Sequence, residues 1–214
     1  MAVLVTGGAG YIGSHMVWAL LDSGEDVVVV DRLSTGYRWA VPAKAHFYQG
    51  DINNQALLNQ IFSTHTIDVI FHFAGSISVP DSVANPLEYY LNNTINTRGL
   101  IDACLTHDVR KMVFSSTAAV YGTQNSAEPV VEDTLLRPEN PYGTSKLMSE
   151  IMLRDCSVAH DFTYVALRYF NVAGADIKGR AGSSAHGANN LIRVACETAL
   201  GKRESLNVFG HDYE

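Results

Sequence analysis

The chain has little cysteine, no clustered basic charge and no long apolar run, and each absence removes a class of protein. Cys104, Cys156 and Cys196 stand alone, without CxxC or His-paired spacing, so neither a disulfide framework nor a zinc site is indicated and no metal is expected. Isolated thiols suit a reducing compartment. Asp and Glu number 22 against 15 Lys and Arg, a formal charge of -7, and no run of basic residues offers a nucleic-acid footprint. No apolar stretch reaches membrane-spanning length, and Ala2 to Thr6 already read as a strand feeding a glycine loop, which leaves no room for a leader. A cytoplasmic protein is expected. With 47% apolar residues in 214, one substantial core, or one domain plus part of another, can be buried. The sequence shows neither internal repeats nor low-complexity segments.

Short, nearly continuous apolar runs recur at Ala2-Val5, Val27-Val30, Val69-Phe73, Met112-Phe114 and Tyr164-Leu167, with helical stretches between them. Such runs predict strands covered on both faces, and their alternation with helices predicts an α/β fold with a doubly wound parallel sheet. One helix is expected from Pro86 to about His107, with Asn85 as its cap and Glu88 reaching back. A second starts near Asn140-Pro141 and runs toward His160, and both should pack on the sheet. From Gly174 to Asn189 the composition turns to Gly, Ser and Ala, which reads as a loop leaving the first domain. A helix from Asn190 to Leu200 and a short strand near Leu206-Phe209 follow, and the chain stops without a closing element. Residues 1–174 are therefore expected to form the dinucleotide-binding domain, and 175–214 the beginning of a smaller, truncated substrate-binding region.

The first strand runs into Gly7-Gly8-Ala9-Gly10-Tyr11-Ile12-Gly13 at the mouth of a helix. Residues without Cβ let backbone approach a pyrophosphate, and the unpaired N–H groups of the helix start stabilise its charge. Alone, such a loop is also an ordinary strand–helix turn. Asp31 ends the second apolar run 18 positions beyond Gly13, where a carboxylate can accept from adenosine ribose hydroxyls and repel a 2′-phosphate. NAD is thus favoured over NADP, although Arg32 next door is a residue that can accommodate that phosphate. Asp51, in Gly50-Asp51-Ile52, ends another short strand.

Tyr142 and Lys146 lie four residues apart at the start of a predicted helix and share one face. A free phenol titrates near 10, so a tyrosine base at neutral pH needs positive charge beside it, which Lys146 and an oxidised nicotinamide can supply. Pairs with this spacing are common on helix surfaces. Context comes from Phe114-Ser115-Ser116-Thr117, where a strand ends and hydroxyls emerge at the carboxyl edge of the sheet, the place where doubly wound folds bind ligands. Thr117 can then hydrogen-bond both a reacting sugar hydroxyl and the tyrosine, or merely cap the strand end.

Together these segments resemble the UDP-glucose 4-epimerase branch of the extended short-chain dehydrogenase/reductase family. The resemblance is carried by Thr6-Gly7-Gly8-Ala9-Gly10-Tyr11-Ile12-Gly13, Asp31-Arg32-Leu33-Ser34-Thr35-Gly36, Phe71-His72-Phe73-Ala74-Gly75 and Pro86-Leu87-Glu88-Tyr89-Tyr90. It continues through Ser115-Ser116-Thr117, Pro141-Tyr142-Gly143-Thr144-Ser145-Lys146, Leu167-Arg168-Tyr169-Phe170-Asn171, Asn189-Asn190-Leu191-Ile192 and Asn207-Val208-Phe209-Gly210-His211-Asp212-Tyr213. It implies NAD as cofactor, a UDP-sugar as substrate and a homodimer through the helices near Pro86-His107 and Pro141-His160. It also implies that Tyr142 is the base, Lys146 holds the nicotinamide ribose and lowers the tyrosine pKa, and Thr117 orients the 4-hydroxyl. Tyr11, Ile12, Asp51, Ile52, Phe73, Ala74, Gly75, Asn92, Ser115 and Tyr169 join the glycines and Asp31 at cofactor positions, while Asn171, Asn190 and Leu191 fall at substrate positions.

Two features depart from that pattern. Where many relatives carry a lysine after the Ala-Gly pair, this chain has Ile77, and the family continues well beyond the last residue here. The expected activity is inversion of C4 in a UDP-hexose through a transient 4-keto sugar. A pentose or uronate 4-epimerase, or a noncatalytic NAD-binding fragment, remain the alternatives; Ala118 and Ala119 after Thr117 count against a dehydratase or decarboxylase, which needs an acid there.

Overall fold

A computed structural model describes residues 1–124, 128–184, 190–208 and 210 of the chain. Six strands form one parallel sheet: β1 (Ala2–Thr6), β2 (Asp26–Asp31), β3 (His46–Gln49), β4 (Ile67–His72), β5 (Lys111–Ser115) and β6 (Thr163–Leu167). Their spatial order is β3-β2-β1-β4-β5-β6, so the winding reverses between β1 and β4. Connections from those two strands leave in opposite directions, and a crevice opens at their carboxyl ends.

The apolar runs of β1 and β2 are explained by cover on both faces. Leu4, Val28, Val30 and Ile70 point into a large core closed by α2 (Gln55–Thr64), α5 (Asn96–Thr106) and α6 (Pro141–Ala159). Val3, Val5, Val27 and Val29 point the other way, against Val17 of α1 (Tyr11–Asp22) and the segment around Val41 and Ala45. Each such side chain, taken fully out of water, contributes about 1.5–3 kcal/mol. The expected cover fails at β6, where Thr163, Val165 and Leu167 are exposed. Tyr164 and Ala166 pack against the large core, so this edge strand is covered on one side.

The expected single helix from Pro86 to His107 is instead three pieces. α4 (Pro86–Tyr89) passes into a π-helical segment, Tyr90–Ile95, and then into α5. Pro86 occupies the first turn, but Asn85 makes no side-chain capping bond, because its backbone already closes the preceding helix α3 (Val79–Ala84). α6 begins as expected: Asn140 Oδ1 accepts from the Gly143 N–H at 2.9 Å, with Pro141 next. α7 (Leu191–Ala199) buries none of its residues. The strand expected near Leu206 does not form over 206–208, which is irregular and exposed, and Phe209 lies outside the described residues, as do Asn189, His211, Asp212 and Tyr213. Residues 175–182 fold back on the first domain: Ala175 bridges Gly182, and Arg180 pairs with Asp176 and Asp22 while covering the Trp18 ring at 4.3 Å.

Candidate active site

The crevice at the β1/β4 switch is lined by every residue expected at a cofactor position except Lys146 and Tyr169, which adjoin it. Its floor is backbone packed on backbone. Gly7 has φ of +71°, and a Cβ there would meet the Ala74 nitrogen at 2.6 Å; a Cβ on Gly13 would meet the Gly7 carbonyl oxygen at 2.2 Å. No side chain fits at either position. Gly10 caps α1 without a side-chain bond and the first turn holds no acid, so the N–H groups at the start of α1 face the crevice as an anion site.

Asp31 stands on the rim, one carboxylate oxygen accepting from the Ala9 N–H (2.9 Å) and the other from the Leu33 N–H (2.7 Å). Those bonds fix its direction and leave lone pairs for hydroxyl donors. Arg32, the residue that complicated the cofactor preference, is committed elsewhere: it pairs with Asp51 at 2.9 Å and donates to Ser34 at 3.2 Å. Ser34, Thr35 and Ile77 also line the crevice, and Ile77, 75% exposed, makes that part of its wall apolar.

Lys146 is buried, its Nζ donating to the Ser115 carbonyl at 3.0 Å and lying 5.0 Å from the centre of the Phe114 ring. Burial lowers its pKa to about 8. A Cβ on Gly75 would come within 3.2 Å of Nζ, so the ammonium sits directly behind the crevice wall. Tyr142, one turn earlier, is hydrogen-bonded to Thr117, whose Oγ1 also accepts from the Ala119 N–H at 3.1 Å. Tyr169 completes the group through a short hydrogen bond with Ser115 Oγ.

The expected lowering of the tyrosine pKa by Lys146 is not what the protein alone produces. Burial raises the Tyr142 pKa, the Thr117 hydrogen bond offsets this in part, and the lysine charge is spent on the Ser115 carbonyl. Of the expected substrate residues, Thr117 and Tyr142 meet. Asn171 is exposed in an irregular segment, Leu191 is 66% exposed, and the Asn190 side chain caps α7 by accepting from the Arg193 N–H at 3.2 Å. No described contact brings these three to the Tyr142 group.

Two supports were not foreseen. In the π-helical segment, Asn93 accepts from the Ser76 N–H at 2.7 Å and donates to the Ser76 carbonyl (3.0 Å) and to Ser145 Oγ (3.1 Å), tying the Ala74–Ser76 wall to α6. Its carbonyl accepts from Ser149 at 2.8 Å. Asn92 donates to Ser76 Oγ at 2.7 Å beside it. The run Asn92-Asn93-Thr94 on a helix facing the core was the available signal. The second support is Glu150, 5% exposed, which accepts a short hydrogen bond from Ser116 and pairs with Arg168 at 2.7 Å. Arg168 in turn donates to Tyr121 OH and the Glu132 carbonyl.

Residues 3–212 match the NAD dependent epimerase/dehydratase family. The chain belongs to that family. It is 54% identical over 212 residues to the UDP-glucose 4-epimerase of Azospirillum brasilense, a match that takes in 99% of this chain and 61% of that protein. The UDP-glucose 4-epimerase from Brucella ovis, solved in complex with NAD, superposes with a TM-score of 0.95 at 43% identity over 100% of this chain and 65% of its own. The Bifidobacterium longum enzyme, solved with NAD+ and UDP, gives 0.92 at 40% identity, over 100% and 67%. The chain thus spans less than two thirds of the Azospirillum protein it matches. Among the described residues no helix is long and apolar enough to cross a membrane.

Two outcomes test these supports. Replacing Arg168 with Leu leaves the buried Glu150 carboxylate without its cation and should lower stability to urea by about 3–5 kcal/mol; a change within error would show the pair to be solvated. His72 is fully buried, Nδ1 lying 2.6 Å from Thr6 Oγ1 and Nε2 2.8 Å from Thr97 Oγ1, and burial with the Lys146 charge lowers its pKa to about 3. The unfolded chain binds a proton below about 6.5 that the folded chain refuses, so stability falls with pH by about 1.4 kcal/mol per unit between 6.5 and 3. Urea titrations at pH 7 and 5.5 should show a loss of about 1.3 kcal/mol from this group in the native chain and a smaller one in His72→Gln.

Proposed function

We propose that this chain carries the cofactor-binding and catalytic part of an NAD-dependent epimerase that inverts C4 of a UDP-hexose, interconverting UDP-glucose and UDP-galactose. The observation that carries this reading is the pairing of Tyr142 with Thr117, one helical turn from Lys146 behind the wall of a crevice that also presents the anchored carboxylate of Asp31. The residues fit NAD: a Gly7–Gly13 floor that a Cβ would obstruct, an uncapped helix start for the pyrophosphate, and an acid for the ribose beside an arginine already paired. Gly7, Gly10, Tyr11, Ile12 and Gly13 would hold the phosphates. Asp31, Asp51 and Ile52 would hold the adenosine side, and Phe73, Ala74, Gly75, Asn92, Ser115, Lys146 and Tyr169 the nicotinamide side.

Bound NAD supplies a reversible hydride acceptor, so that C4 can be oxidised to a ketone and reduced again on the opposite face with no net redox change. Tyr142 takes the proton of the 4-hydroxyl and later returns it, and Thr117 holds both groups in line. Because burial alone raises the Tyr142 pKa, its activation depends on positive charge arriving with the cofactor; Lys146, with a pKa of about 8, remains ammonium at neutral pH. Residues 175–214 are the opening of the substrate-binding region, where Asn171, Asn190 and Leu191 would meet the UDP-sugar. That no described contact joins them to the Tyr142 group is the observation behind a second reading, a cofactor-binding fragment without turnover; a pentose or uronate sugar is the alternative substrate.

Exposed Val83, Leu87, Leu91 and Ile95 recur every fourth residue, beside exposed Met148 and Ile151 on α6, and this stripe supports a homodimer. Three free thiols suit a cytoplasmic setting.

Turnover of UDP-galactose and bound nucleotide, measured on this chain, should both be found, and Tyr142→Phe should lose at least about 100-fold in rate while retaining NAD. Undiminished epimerisation by that variant would remove Tyr142 from the chemistry, and NAD binding without any turnover would establish the fragment reading. In sedimentation, the native chain should be a dimer and Leu87→Glu/Leu91→Glu a monomer; identical masses would place the interface elsewhere.

A further inference from the structure

At the opposite, amino-terminal edge of the sheet, three side chains from separate elements converge. Asp26 opens β2, His46 opens β3, and His65 follows the last turn of α2. One donor atom from each lies within 4.8 Å of the other two. His46 Nε2 is 3.4 Å from Asp26 Oδ1, and the two imidazole centroids are 4.9 Å apart. We propose that Asp26, His46 and His65 bind one divalent transition-metal ion of the zinc class, with a fourth position open to water.

The chemistry of the donors is the first argument. Two imidazoles and one carboxylate suit Zn2+, Co2+ or Ni2+ better than Ca2+ or Mg2+, which take oxygen ligands. Distance is the second. Ligand bonds of about 2.0–2.2 Å in a tetrahedron place donors roughly 3.4 Å apart, which is the Asp26–His46 separation and within a side-chain rotation of the rest. Preorganisation is the third. Tyr48, two residues past His46 on the same face of β3, holds His65 by a hydrogen bond of 2.9 Å between its hydroxyl and Nε2, and its ring meets the imidazole edge-on. A hydroxyl partner orients the ring much as outer-shell groups do in known sites. The ion would clamp β2, β3 and the end of α2 at the edge remote from the crevice, so this site is independent of the reading above.

The test is isothermal titration of chelator-stripped chain with Zn2+, with Co2+ absorption as a second probe of tetrahedral nitrogen and oxygen ligands. One equivalent should bind, and His46→Gln and Asp26→Asn should each weaken it by roughly tenfold or more. Both side chains are more than half exposed, so the metal-free thermal melts of the variants should match the native chain. Absence of a one-equivalent site, or affinity unchanged in either variant, overturns the proposal.

Discussion

The whole arrangement rests on a contact of backbone against backbone. At the end of β1 the chain turns through Gly7 at positive φ, and the loop lies so close to Ala74 and to Gly13 that a single methyl at either glycine cannot be accommodated. That proximity lets α1 start immediately above the sheet with its N–H groups aimed into the crevice. It also sets how near the β4 loop, with Phe73, Ala74 and Gly75, approaches the first strand. A looser turn would separate the start of α1 from the wall behind which Lys146 lies.

Around that floor the protein balances costs of burial rather than accumulating attractive pairs. Lys146 is out of water with one carbonyl and an aromatic face, so its pKa drops; Tyr142 is partly buried with one hydroxyl partner, so its pKa rises. Neither shift by itself makes a base at neutral pH. Holding Lys146 and Tyr142 in place and setting their charge are thus separate matters in this fold. The neutral His72, bonded on both sides by threonines beneath the same wall, avoids adding a second buried charge next to the lysine.

The π-helical segment makes the same point about positioning. Within Tyr90–Ile95 the Asn93 carbonyl accepts from Ser149 and its side chain reaches Ser76 and Ser145. Hydropathy periodicity does not distinguish the two helix types, so the sequence suggested one helix where the structure has three parts. Asn85 misled for a related reason: it has the chemistry of a cap, but sits between two helices and its backbone closes the first. The strand expected after Leu206 failed because a short apolar run has no preference of its own without a neighbouring strand to pair with.

By itself the sequence determined everything that is local in chain or repeated in pattern. Buried strands read as unbroken apolar runs, glycines mark turns no other residue can make, and Tyr142 and Lys146 share a helix face whatever surrounds them. The family membership was legible for the same reason, since its motifs are short segments in fixed order. Tertiary structure alone decided what each charge meets. It committed Arg32 to Asp51, gave Lys146 a carbonyl rather than the tyrosine, turned Asn190 into a helix cap and left Leu191 in solvent. It also gathered Asp26, His46 and His65, which are far apart in the chain and carry no spacing that announces a ligand set. Electrostatic partners are chosen by distance in space, and distance in space is fixed only when the crossovers have placed the strand ends side by side.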